Sequence, residues 1–294
     1  MRPRGRFSCN PHQGKERAYV QALIDAGYRE SHYRYSPVDF ALFDLDSGSG
    51  GNGHRSEVVD YHARNVPLFL YPHAARPMVQ YDGIIKIYPH IRLMMSIAEG
   101  HKLVMERFGF PIPVVPCGWS LCEQKPFTPV RDVKRVLFGP IHPNANGWLS
   151  EEHKRVNRET YLRLRAWCKA NGAELVIRHV HDLQKNGLTR ISSEVKTIHG
   201  LPNGSTAEID AADLVVGHQT FAYIAVARGK PTLMMAEGMT PCSGNSPATL
   251  RQVAHWDAYR DLLMYPLDAL DGDLDESIEK AASGGYIDKW KELF

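Results

Sequence analysis

Short runs of consecutive apolar residues, each closed by a polar turn, recur through the second half of the chain. They are Arg135–Gly139, Glu174–His179, Asp213–Val216 and Pro231–Met235. Runs of three or four with no polar alternation are the mark of strands buried on both faces, as in a parallel sheet. The segments between them carry helical spacing. Ser150 can N-cap a helix whose first turn holds Glu151 and Glu152, with Val156, Leu162, Leu164, Trp167 and Cys168 on one apolar face and Asn171-Gly172 as its stop. Ser205 and Glu208 form a capping-box pattern before a short helix, and Thr220 can cap a helix that runs through Arg228 to Gly229. A last helix is predicted near Leu274–Ala282, after another near Pro247–His255.

The first half repeats the pattern less regularly. Strands are predicted near Phe7–Cys9, Asp39–Asp44 and Pro67–Tyr71, with helices over Glu16–Ala26 and His54–Arg64. Leu93–Ser96 and His101–Phe108 read as a further helical pair. Pro111, Pro113, Pro116, Pro126 and Pro129 then mark a Pro-rich linker. Strands alternating with helices give an α/β fold built from parallel β-α-β units. The expectation is two Rossmann-like domains facing across a cleft, residues 1–125 and residues 126–294, with the ligand between them.

Composition narrows the class. A chain of 294 residues with 43% hydrophobic and 23% charged residues is ordinary for a soluble enzyme. No apolar run approaches the ~20 residues of a membrane span, and no signal-peptide apolar stretch follows the basic start. Integral membrane contact is not expected, and a cytoplasmic location is (the host cytoplasm, were the chain phage-encoded). Five cysteines without a C-x-x-C pair fit reduced thiols better than a disulfide framework. A formal net charge of +2 does not announce nucleic acid. The basic cluster of Lys154, Arg155, Arg158, Arg163 and Arg165 reads as a solvated helix face.

Candidate chemistry gathers where predicted strands end. Of 14 histidines, His12, His73, His142, His179 and His218 each follow such a strand, which is where ligands meet an α/β sheet. Val216 to Pro231 runs strand, polar turn, helix, then Gly229-Lys230-Pro231. Its turn places backbone N–H groups at a helix N-terminus, an arrangement that suits a diphosphate. Arg178, at another strand end, can bind a phosphate bidentately.

Ser96–Val115, Leu137–His142, Ile177–His179 and Asp213–Pro231 together resemble the two-domain GT-B nucleotide-sugar enzymes. The branch indicated is that of the CDP-glycerol glycerophosphotransferases and UDP-N-acetylglucosamine 2-epimerases. The resemblance implies a glycosyltransferase moving a sugar or related group from a nucleotide-diphosphate donor, UDP-linked, to a hydroxyl, with no cofactor and no metal. It implies that His142, Arg178, His179, His218, Gln219 and Thr220 surround the donor diphosphate. His73 matches the family's first-domain histidine and is the general base it implies, with Asp44, Asp46 and His12 as other choices. The family's ribose-binding glutamate falls at Ile224, so that contact is missing. The acceptor stays open between an envelope polymer, a small metabolite and a hydroxymethylated DNA base of the kind phage DNA glycosyltransferases use.

Other motifs compete. Gly48-Ser49-Gly50-Gly51-Asn52-Gly53 spells G-x-G-x-x-G after a predicted strand, which would suit an NAD-dependent oxidoreductase. It follows the second strand rather than the first, and no acidic residue ends the next one. Cys9 and Glu16 spoil a P-loop reading of Gln13-Gly14-Lys15. His179 and His181 lack a third metal ligand at a telling spacing. A catalytically inactive binding protein of the same fold is the remaining alternative, supported by Ile224.

Overall fold

The computed structural model describes residues 4–9, 17–31, 36–44, 60–61, 63–71, 91–96, 99, 102–103, 106, 112–118, 125–141, 151–178, 196–198, 206–217, 219–235 and 273–284. The chain divides into two compact units, changing over between Leu121 and Cys122. Each unit holds one parallel sheet, so the protein is of the α/β class with two Rossmann-like sheets, as the apolar runs predict.

In the first unit the strands are β1 (Arg6–Cys9), β2 (Arg29–Glu30), β3 (Phe40–Asp44), β4 (Leu68–Tyr71), β5 (Ile91–Ser96) and β6 (Val114–Pro116). Helix α1 (Arg17–Asp25) links β1 to β2. The sheet order is β2-β1-β3-β4-β5-β6, every neighbouring pair parallel. Its core is Ala41, Phe43, Leu68, Leu70, Ile91 and Met94 on one side and Phe7, Leu42 and Tyr71 on the other.

Two expectations fail here. Leu93–Ser96 is strand, because β4 and β6 flank it and bury Met94 completely. Residues 114–116, expected in the linker, are the edge strand β6, with Val115 and Pro116 exposed at the sheet margin, where proline is tolerated.

The second unit holds β7 (Arg135–Phe138), α2 (Glu151–Asn171), β8 (Glu174–Arg178), β9 (Lys196–Ile198), α3 (Thr206–Ala211), β10 (Leu214–Gly217), α4 (Gln219–Ala227), β11 (Thr232–Met234) and α5 (Leu274–Ser283). The order is β11-β10-β7-β8-β9, again all parallel. All four residues of β10 are buried, which explains its unbroken apolar run. On α2 the buried face is Val156, Asn157, Thr160, Tyr161, Leu164 and Cys168, steps of three and four. Leu162, expected on that face, points the other way and is 48% exposed. Asp273 caps α5 through the Asp275 and Glu276 N–H groups, and Gly284 closes it at φ 85°.

The end of the Pro-rich segment is docked rather than loose. The Lys125 and Thr128 N–H groups donate to Ala227 and Gly229 carbonyls at 2.8 and 3.1 Å, and Val130 N–H to Ala282 at 2.9 Å. Gly229, at φ 70°, lies under the Pro126 carbonyl, where a Cβ would collide with backbone.

Candidate functional site

Parallel sheets bind ligands at their carboxyl edge, at the point where successive connections leave in opposite directions. In the second unit β7 is followed by α2 and β8 on one side. β10 is followed by α4 and β11 on the other. The switch point therefore lies between the ends of β7 and β10.

A glycine ends each of those strands, Gly139 just after β7 and Gly217 as the last residue of β10. The Gly139 N–H donates to the Val216 carbonyl at 2.8 Å, holding the two ends together. Phe221, in the first turn of α4, lies over both glycines. A Cβ at Gly139 would sit 2.5 Å from Phe221 Cδ1 and Cε1, and one at Gly217 would overlap the same ring edge. The glycines are there because the ring needs the space.

From the end of the adjacent β8, Arg178 reaches the same ring, with its guanidinium carbon 4.8 Å from the Phe221 centroid. That is a cation–π contact. Burial pushes the Arg178 guanidinium below its ordinary value, and the charge of Glu208 on α3 works against that shift. The guanidinium nevertheless stays cationic. Glu208 Oε2 is buried without a hydrogen-bond partner. The ends of β7, β8 and β10 and the start of α4 thus converge on one cation and one ring.

Beside them, Asn157 fixes the start of the loop after β7. Ile141 N–H donates to Asn157 Oδ1 at 2.7 Å, and Asn157 Nδ2 donates to the Ile141 carbonyl at 3.1 Å, both buried. The loop that leads to His142 therefore begins from a fixed backbone.

The opposite, amino edge carries the charged residues of the Asp213–Pro231 stretch, and there they are structural. Asp213 Oδ2 accepts from the Lys134 and Arg135 N–H groups, both at 2.9 Å. Lys230 Nζ donates to the Asp210 and Ala212 carbonyls at 2.6 and 2.9 Å. Arg228 donates to Asp210 through Nε at 2.7 Å and Nη2 at 2.5 Å, and Lys125 Nζ joins at 3.1 Å. These contacts hold Asp210 well down, at about 2.

Of the predicted site residues, Arg178 stands at the carboxyl edge, and Gln219 and Thr220 open α4 there. Thr220 lies inside the first turn rather than at the N-cap, because the helix already begins at Gln219. Ile224 is buried in the core, so that position is packing, not a hydroxyl contact. His12, Asp46, His73, His142, His179 and His218 lie outside the described residues, as do Gly48–Gly53 and His181. Asp44 ends β3, the strand beside β1 at the first unit's own switch point.

Sequence reasoning missed Phe221 and Asn157. A glycine closing each of two neighbouring apolar runs was the available signal for the first. An asparagine at a buried helical position was the signal for the second.

Among the described residues, no group of three His, Cys, Asp or Glu side chains is gathered for a metal, and no helix is long and apolar enough to cross a membrane.

Fold and edge together define a two-unit α/β protein with its candidate site at the switch point of the second sheet. No family model and no curated protein matches the chain. Among solved structures it is similar to Acinetobacter baumannii MurG, at 10% identity and TM-score 0.49, over 94% of each chain. It is similar to the UDP-GlcNAc 2-epimerase of Methanocaldococcus jannaschii, at 10% identity and TM-score 0.48, over 98% of this chain and 99% of that one. CalG4, the calicheamicin glycosyltransferase, is 12% identical with TM-score 0.45, over 99% and 98%.

Proposed function

We propose that the chain is a glycosyltransferase that moves a sugar, or a related group, from a UDP-linked donor to a hydroxyl acceptor without a metal. The observation that carries this reading is the meeting of Arg178 with the first turn of α4 at the switch point of the second sheet. A half-buried guanidinium beside a helix N-terminus suits an oxyanion, and a diphosphate is the oxyanion such an edge takes.

In the proposed reaction Arg178 and the α4 backbone hold the donor diphosphate, with His142, His179, His218, Gln219 and Thr220 as the side chains nearest in the chain. His73 takes the proton of the acceptor hydroxyl, with Asp46 and His12 the alternative bases. The acceptor oxygen bonds to the sugar's anomeric carbon as the bond from that carbon to the diphosphate oxygen breaks. The electron pair leaves with the nucleoside diphosphate, whose growing charge Arg178 stabilises.

A thermal-shift screen of UDP-, GDP-, CDP- and TDP-linked sugars, with NAD beside them, tests the reading. UDP-linked donors should raise the melting temperature with or without EDTA. Stabilisation by NAD alone would instead favour an oxidoreductase. Donor binding with neither hydrolysis nor transfer to a hydroxymethylated DNA base, a polymer or a small hydroxyl compound would mark a binding protein.

A further inference from the structure

We propose that Phe221 is the positioning residue of this site: its ring, seated on Gly139 and Gly217, sets where the Arg178 guanidinium stands at the carboxyl edge. The inference rests on the proposed diphosphate reading for its purpose, but the positioning itself is measurable without any ligand.

Four observations meet on this ring. Phe221 lies over two strand ends, β7 and β10, whose terminal residues both lack the Cβ that would displace it. It springs from the first turn of α4, the helix whose N–H groups face the same edge. It takes a cation from a third strand, β8, at 4.8 Å. Among the described residues that cation makes no hydrogen bond, and Glu208 acts on it through its charge rather than through a bond. A ring contact uses the π face and consumes none of the five guanidinium N–H donors. The ring contact thereby leaves the guanidinium edge to an oxyanion that accepts two parallel bonds, as a phosphate group can. A carboxylate hydrogen-bonded to the guanidinium would occupy those donors, whereas Glu208 acts on Arg178 through its charge.

The arrangement also explains why the space between the two strand ends, where the chain itself approaches a ligand in many doubly wound sheets, is filled here by an aromatic side chain. With the ring in that space, the groups left to meet an anion are the Arg178 guanidinium and the α4 N-terminus.

The experiment measures pyrophosphate affinity by calorimetry for the full chain, for Phe221→Leu, for Phe221→Tyr, for Arg178→Ala and for the double variant Phe221→Leu with Arg178→Ala. Alongside it, the Arg178 Nε–Hε resonance is recorded by NMR without ligand and assigned by its loss in Arg178→Ala. In the parent protein the proton should carry a ring-current shift that disappears in Phe221→Leu and survives in Phe221→Tyr. Phe221→Leu should weaken pyrophosphate about fivefold, the scale of a partly desolvated cation–π contact. It should cost less than about twofold once Arg178 is already Ala, since the two then act as one unit. Phe221→Tyr should restore the parent affinity.

An Arg178 proton without a ring-current shift, or an equal fivefold loss in both backgrounds, would overturn the positioning role. A shifted proton in a protein that binds no pyrophosphate would instead overturn the diphosphate reading.

Discussion

The Asn157 side chain stands in for a strand partner: its amide oxygen and nitrogen bond the N–H and the carbonyl of Ile141 at 2.7 and 3.1 Å, fully buried. Helix α2 thereby ties the first residues of the loop after β7, on the edge where the candidate site lies. Asn157→Ala strands two backbone groups out of water. The expected cost is roughly 2–4 kcal/mol, one to three for each buried unsatisfied group with partial relaxation. Asn157→Asp keeps the acceptor and loses the donor, so it should fall between. Urea unfolding of the three proteins checks the order, and an unchanged midpoint for Asn157→Ala would contradict it.

Gly229 and Gly172 both have positive φ, 70° and 63°, but their surroundings differ. A Cβ at Gly172 meets nothing within 4 Å, while one at Gly229 meets the Pro126 backbone. Gly172→Ala should cost only the conformational term, about 1 kcal/mol. Gly229→Ala must also push the docked 125–128 segment away, and should cost at least about twice as much. Thermal melts of the two variants measure the difference.

Asp210 sits at about 2, first because Arg228 donates to it and then because Lys125 does. A depressed carboxyl contributes stability that is fully present above its unfolded value near 3.9 and fades as pH falls through about 2. Asp210→Asn should therefore be less stable than the parent at pH 7. The gap should narrow between about pH 4 and pH 2, because the parent loses what the variant never had. A gap independent of pH in that window would contradict the ion pairing.

Cys168 is buried against β8 and its thiol is pushed up to about 12 by burial, whereas Cys117, whose thiol partial burial also raises, is open to reagent. Thiolate is the reactive form. Iodoacetamide at pH 8 should label Cys117 in the native protein and Cys168 only after unfolding, as peptide mass spectrometry would read. Native labelling of Cys168 at a comparable rate would place it outside the core.

The parallel architecture was legible because β7, β8 and β10 are buried on both faces and so carry unbroken apolar runs. β5 was not: Leu93-Met94-Met95 has no period of its own, and only its neighbours β4 and β6 make it a strand. β2 and β9, of two and three residues, are too short to carry a pattern at all. Arg178 was legible as a charge closing an apolar run. Phe221 was not, since an aromatic in a first helical turn reads as core until Gly139, far away in sequence, is known to lie beneath it. The Asp213 and Lys230 positions sat inside a motif read as phosphate-binding, yet their bonds go to backbone at the amino edge. A motif does not say which edge of the sheet each of its letters faces.

The proposed hold of Arg178 on the donor diphosphate is tested most directly by UDP affinity, measured by calorimetry with and without Arg178→Ala. The parent should bind UDP with or without EDTA, and Arg178→Ala should bind it at least tenfold more weakly, ~1.4 kcal/mol, while melting within a few degrees of the parent. Equal UDP affinity in the two proteins would contradict it.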